Sequence, residues 1–369
     1  MEKNRGWLIY EIDDLMKDTE IPLFNRGRIG FEPPEVQENI RHMLNVADMV
    51  TVTTDYIKQA YHDYYGVPLD RIVAVPNMLP KYLFGDRYHP DLKVQQFQRF
   101  KNKPRIGIVS SLSHYNITDA RKDKDGFACR KHEDRNPDGT VTVKWFNQNN
   151  VEIPESETTV IEDDFDIIID CIRKTVSDFQ WVVFGYAPPK LQDLIRSGKI
   201  EVHGGSPIMN YPSVFDNLGL QAVVAPILDI EFNRCKSFIK YMECAALGVP
   251  LFASAYVPYT RVMPERQLFK DGDDLKEKLL NLKFSSSGAY RKMVENQWRW
   301  LNSPCHEGDF DIKNFWLEDN LNIWIDLSRL PQRCYSCSLK MYLDVKAKRE
   351  KETKEKTIYS NENGVEILK

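Results

Sequence analysis

Apolar runs of strand length alternate with amphipathic stretches of helical length along most of the chain. That alternation is the mark of parallel α/β layers. Residues 7–12 form an apolar run that ends in Asp13 and Asp14. A helical pattern covers 35–46, a β-rich run 49–53, and a second helical pattern 55–65, which Asp55 can cap. A third strand at 71–75 is closed by Pro76 and Asn77. The stretch 80–104 mixes Pro, charge and aromatics, as interdomain connections do.

A second series opens with a strand at 105–109, which runs into Ser110, Ser111, Ser113 and His114. From about 115 to 160 the rhythm breaks down. This polar stretch holds the turn Asn136-Pro137-Asp138-Gly139 and the strand-like TVTVKWF at 140–146. It is too long for an ordinary connection and is expected to be an insertion with a hairpin. The pattern then predicts helices at 164–176 and 189–195, strands at 181–184, 200–203 and 221–225, a helix at 236–247 and a strand at 250–253. Helices follow at 273–282, 288–301 and 312–327. The charge run after 343 is expected to be solvated and disordered. No internal repeat is apparent.

A length of 369 residues makes two domains the natural expectation. With 50 Lys and Arg against 54 Asp and Glu, the net charge of -4 argues against a strongly basic nucleic-acid binder and leaves room for a local basic groove. The first residues contain no long apolar run, so neither a signal peptide nor a membrane span is expected. Of seven cysteines only Cys334 and Cys337 form a CxxC, without the second ligand pair that zinc normally needs. The compartment expected is reducing and cytoplasmic. Trp298, Trp300, Trp316 and Trp324 sit on helical patterns and read as core.

In open parallel sheets ligands bind beyond the carboxyl ends of the strands. Three such ends carry candidate chemistry: Ser110–His114, Gly185 (whose missing side chain permits close backbone approach), and the segment after Val224. On a helix starting at Lys236, the residues Lys236, Lys240, Glu243 and Leu247 share one face. Two lysines and Ser237 at a helix N-terminus suit a phosphate, with the free N–H groups and the dipole assisting. Glu243, almost two turns on, can accept from ribose hydroxyls. The competing account is a solvated face with a Lys240–Glu243 pair.

Residues 226–254, PILDIEFNRCKSFIKYMECAALGVPLFAS, resemble the donor-nucleotide segment of GT-B glycosyltransferases of the family-4 (group 1) type. Cys235 occupies the position of that family's earlier acidic residue, so the paired-Glu motif is broken. The Lys-Ser-x-x-Lys-x-x-Glu version is similar to a bacteriophage and bacterial branch. FQWVVFGYAPPKLQDL at 179–194, IEVHGG at 200–205, IYEIDD at 9–14, the 48–77 stretch ending in Pro-Asn, and Ser110–His114 with Asp163 and Asp164 resemble further parts of the same fold.

The resemblance implies an α/β fold of two Rossmann-like domains. Residues 1–85 would form a partial acceptor-side domain, 86–104 a linker, and 105–308 the nucleotide-sugar domain with its insertion at about 115–160. Helices at 309–343 would cross back, and 344–369 would be a charged tail. It implies a retaining glycosyltransferase in which Lys236, Ser237 and Lys240 hold the diphosphate and Glu243 the ribose, with no metal or other cofactor. Ser111, Gly185 and Asn233 would complete the donor set. His114 would contact donor phosphate or sugar, or be a structural turn residue. Asp13 and Asp14 would contact the acceptor, or one would cap the next element. His203 and Gly204 would line the base pocket, or serve packing. Family members open with several more βα units than the 85 residues here allow. An upstream start, a partner or a reduced form would each account for that, and a non-catalytic nucleotide-sugar-binding remnant is the alternative to an enzyme. The phage-like branch suggests hydroxymethylated pyrimidine in DNA as acceptor, in the host cytoplasm, with Arg121, Lys122, Lys124, Arg130 and Lys131 as phosphate contacts. A surface or lipid-linked glycan is the runner-up.

Overall fold

A computed structural model describes residues 8–136 and 138–328. The expectations for Trp7, Pro137, Cys334, Cys337, the chain beyond 328 and the charged tail lie outside these residues.

The first three strands, β1 (Ile9–Glu11), β2 (Met49–Val52) and β3 (Ile72–Ala74), form a parallel sheet in that order. Tyr10 lies opposite Val50, and Val50 opposite Ile72. All of β2 and β3 is buried, which is why both read as continuous apolar runs rather than alternating ones. On one face Val50, Val52, Ile72 and Ala74 pack under the helices Pro34–Val46 and Asp55–Tyr65. On the other, Met49 and Val73 share a core with Trp316, Ile323 and Leu327 from the end of the described chain. The cap of the Asp55–Tyr65 helix is Thr54, not Asp55: its hydroxyl accepts from the Ile57 N–H at 3.2 Å.

β4 (Arg105–Ser110) opens the larger unit. The insertion follows it, as β5 (Arg121–Lys122), β6 (Arg130–Arg135), β7 (Val141–Phe146), β8 (Glu152–Ile153) and β9 (Thr159–Val160). β5 and β9 form an antiparallel ribbon at its base, and β6, β7 and β8 an antiparallel sheet beyond. Three of its turns use one device. Asp123, Asn136 and Asn147 each start a turn whose fourth residue is left-handed: Gly126 (φ 88°), Gly139 (φ 84°) and Asn150 (φ 60°).

The α/β rhythm resumes with β10 (Gln180–Gly185), β11 (Ile200–His203), β12 (Ala222–Ala225), β13 (Leu251–Ser254) and β14 (Leu268–Phe269). The six strands are all parallel in the order β11-β10-β4-β12-β13-β14. The chain moves outward from β4 on one side and returns on the other, so the topological switch lies between β4 and β12. The crevice beyond their carboxyl ends is where such sheets bind ligands.

Three expectations are corrected. The stretch expected as a linker contains a helix, Pro90–Arg99, because Lys93, Val94 and Phe97 form a buried stripe. Phe97 stacks on Tyr290 at 4.2 Å, and buried Lys93 bonds Asp216. The helix expected at 236–247 begins at Ile239. The helix expected at 312–327 is only Leu321–Ser328; before it, β15 (Cys305–Glu307) and β16 (Phe310–Ile312) form a hairpin. This hairpin and the last described helix cross back to the small sheet. Asp309 donates its N–H to the Ala74 carbonyl, accepts from the Ala74 N–H at 2.7 Å, and pairs with Lys58.

Candidate functional site

The carboxyl ends of β4 and β10 come so close that only glycine fits at 185. Gly185 has φ 107°, and a Cβ there would lie 2.3 Å from the Ser110 carbonyl oxygen. Beyond them opens a cleft of about 370 Å³, lined by Ser110, Ser111, His114, Gly185, Tyr186, Gly205, Ser206, Ile208, Tyr211, Lys240 and Glu243 among others.

One wall is built on the Ile239–Ala246 helix. Lys240 Nζ donates to Glu243 Oε2 at 2.7 Å and to the Tyr211 hydroxyl at 3.2 Å, and that hydroxyl donates to the same Glu243 oxygen at 3.0 Å. The Tyr211 ring stacks on Phe184, so the triangle is braced from β10. Burial works against the Lys240 charge, but Glu243 and Tyr211 outweigh it and hold the ammonium above its ordinary value. Lys240 keeps one N–H, and Glu243 Oε1 takes no bond among the described residues. The pairing and a ligand role are therefore compatible. Sequence reasoning missed Tyr211, because the helix Tyr211–Asn217 was not foreseen; the available signal was Pro212, a first-turn proline.

The opposite wall is a buried relay at the switch point. His114 Nδ1 bonds Asp164 Oδ2 at 2.7 Å. Asp164, 1% exposed, accepts on its other oxygen from the Leu228 N–H and from Asn233 Nδ2, both at 2.8 Å. The loops after β4 and β12 are thus tied through one carboxylate. Since Asp164 accepts from Nδ1, a neutral ring presents Nε2 as an acceptor. Burial, then the charge of Lys236, lowers the His114 pKa below its usual value, against the opposing pull of Asp164.

Asp14 and Lys236 feel each other's charge, and Lys236 also acts on His114. Burial raises the Asp14 pKa; Lys236 and His114 oppose this, while neighbouring Asp13 adds to it. Lys236 Nζ lies 4.9 Å from the Phe232 ring centroid and has no ion-pair partner among the described residues. It precedes the helix rather than sharing its face with Lys240 and Glu243, because the first helical residue is Ile239.

Of the residues singled out in the sequence, Ser111, His114, Gly185, Lys240 and Glu243 line the cleft. Lys236 and Asp14 stand beside it, and Asp13 is exposed. Four others are elsewhere. Asn233 is buried behind Asp164. Ser237 accepts from Asn77 Nδ2 at 2.8 Å, at the junction of the two sheets. His203 turns to Glu201, which Arg105 already holds with two bonds. Gly204 gives way to its neighbours Gly205 and Ser206 as the lining residues. Of the insertion's cations, Arg121 pairs with Asp119 and Glu155, and Lys131 with Glu133. Arg130 lies over the Phe146 ring. Among the described residues no helix is long and apolar enough to cross a membrane, and no cluster of three His, Cys, Asp or Glu is placed to hold a metal ion.

No family model matches the sequence, and no curated protein does. Solved structures do. HepE of Anabaena in complex with UDP-glucose matches with a TM-score of 0.52 at 12% identity, over 88% of this chain and 72% of that one. The same protein with UDP and glucose gives 0.51 at 13% identity, over the same shares. Identity this low speaks to the fold alone. Together with the two parallel sheets and the segment 305–328 that crosses back, it places the chain in the GT-B fold of two Rossmann-like units.

Proposed function

We propose that the protein is a glycosyltransferase that takes its sugar from a nucleotide-diphosphate donor bound in the cleft beyond β4 and β10. The observation that carries this reading is the joint placement of Lys240, Glu243, Tyr211 and the His114–Asp164 pair around one opening. The complexes of HepE with UDP and UDP-glucose support a uridine donor. Exposed Tyr186 and Ile208 offer the base an apolar platform. Glu243 Oε1 receives ribose hydroxyls.

The leaving diphosphate gathers charge as the sugar bond breaks. Lys240 and Lys236 meet that charge without reorganisation, the arrangement that contributes most in such chemistry. In this reading they take the place of a divalent cation. Neutral His114, with Nδ1–H held by Asp164, accepts a sugar hydroxyl on Nε2. Retention of configuration follows from the resemblance to the family-4 type. The acceptor side is the small sheet, with Asp14 facing Lys236 and His114. A glycan acceptor is preferred to DNA, since Arg121 and Lys131 of the insertion are already paired with carboxylates.

Calorimetry with UDP, followed by mass spectrometry of UDP-glucose incubated with the protein in EDTA, tests this. Binding with slow release of glucose and UDP is expected. Binding without release would leave a nucleotide-sugar-binding remnant; no binding of any nucleoside diphosphate would remove the reading.

A further inference from the structure

A second opening lies on the small sheet, on the face turned toward the crossing C-terminal helix. Its volume is about 330 Å³, within the range of small-ligand pockets. Glu11, Thr51, Thr53, Asn77, Leu317 and Trp324 are among its walls. Glu11 and Thr51 lie opposite each other on β1 and β2, so their side chains share a face. Met49, two residues before Thr51, is on that same face and packs in the core that holds Ile323 and Leu327.

Thr51 is the informative residue. It is 1% exposed, and its hydroxyl has no hydrogen-bond partner among the described residues. A buried hydroxyl left unmatched costs about 1–3 kcal/mol, and such exceptions call for an explanation. Among the described residues every other polar wall group is a hydroxyl, an amide, the Trp324 indole N–H or one carboxylate, and no Lys, Arg or His lines the opening. An anionic ligand would therefore find a carboxylate and no cation. A ligand rich in neutral hydroxyls would find acceptors in Glu11, a partner in Thr51, and an apolar ring face on half-buried Trp324.

The opening is linked to the segments that carry Lys236 and Asp14. Asn77 forms part of its wall and donates to Ser237, one residue from Lys236. Thr53, another wall residue, donates to the carbonyl of Asp13, next to Asp14. We infer that this opening binds a neutral saccharide, with Glu11, Thr51 and Trp324 as its recognition residues. Its role as the acceptor subsite rests on the proposed transferase activity; the binding itself does not.

The test is saturation-transfer NMR on the full chain with methyl glucoside, maltotriose and glucose 1-phosphate as probes, run beside UDP calorimetry. A neutral saccharide is expected to bind at millimolar concentration and glucose 1-phosphate to bind at least fivefold more weakly. Glu11→Gln and Thr51→Val should each weaken saccharide binding about fivefold or more and leave UDP affinity within twofold. Thr51→Val keeps the shape of the side chain, so it separates recognition from folding. Absence of saccharide binding, preference for the phosphate, or indifference to both substitutions would overturn the inference. If UDP fails to bind while saccharide binding behaves as stated, the donor reading falls and this site stands.

Discussion

Removing either end of the Lys240–Glu243 pair should harm the protein differently. The side chains are 22% and 13% exposed, which places the pair between surface and interior. Breaking a fully buried pair costs about 3–5 kcal/mol, and a surface pair contributes under about 1 kcal/mol. Glu243→Ala strands a largely buried ammonium on the Tyr211 hydroxyl alone, so about 2 kcal/mol of stability should be lost. Lys240→Ala leaves Glu243 with the Tyr211 donor and should cost about 1 kcal/mol. On the proposed donor reading the order reverses in catalysis. Lys240 meets charge that grows on the leaving diphosphate, and loss of one such donor typically lowers turnover ~10²–10³-fold. Glu243 meets ribose hydroxyls, whose charge does not change, so its loss should weaken donor binding by about 1.5–3 kcal/mol with a smaller effect on turnover. Urea denaturation of both variants and the double variant, with UDP calorimetry and UDP-glucose turnover, gives the full cycle. If all three variants unfold, bind and react like the parent, the pair is a solvated one and the donor site is misplaced.

Three further outcomes are expected. The His114 pKa is lowered by burial and by Lys236; the unfolded chain then binds the extra proton first, so stability is complete above the ordinary His range of about 6.5 and is lost as pH falls through and below it. His114→Gln should flatten that slope in urea denaturation between pH 5.5 and 7.5, and an unchanged slope would refute it. Gly185→Ala should cost about 2 kcal/mol or more, from the φ of 107° and the Ser110 oxygen 2.3 Å from the new Cβ; a parental denaturation midpoint would contradict this. Replacing 123–158 by a short Gly-Ser turn should leave the six-stranded sheet folded, because β5 and β9 already pair at the base of the insertion; loss of soluble expression would show that the insertion belongs to the core.

The large sheet was legible because its strands are buried on both faces and write unbroken apolar runs, as at Trp181–Phe184. The strand–loop–helix–strand order of residues 222–254, which brings Lys240 and Glu243 to the cleft, was legible from the order of its motifs. The helix start at Ile239 was not: Phe238 stands at the cap position with no side-chain bond, so no Ser, Asp or Asn marked the boundary. Asp164 was seen only as the start of the next helix. Its importance comes from contacts with His114, 50 residues before it, and Asn233, 69 residues after it, which no local pattern encodes. His203 fell outside the cleft because it turns to Glu201 on its own strand β11, and Glu201 is held by Arg105 of β4, two strands away, which no local pattern encodes.

The hairpin that reaches back to β3 has a consequence for how the chain is made. Asp309 satisfies both the N–H and the carbonyl of Ala74 from 235 residues further along, and Lys58 finds its counter-charge on the same side chain. During synthesis the small sheet emerges first with that end of β3 unmatched and one face bare of Trp316, Ile323 and Leu327. The larger domain must be translated before those groups arrive. At roughly 5–20 residues per second this interval lasts on the order of tens of seconds. The small sheet is therefore completed only after the larger unit although it is written before it, and a ribosome-bound chain stopped before Asp309 would expose it to chaperones and proteases.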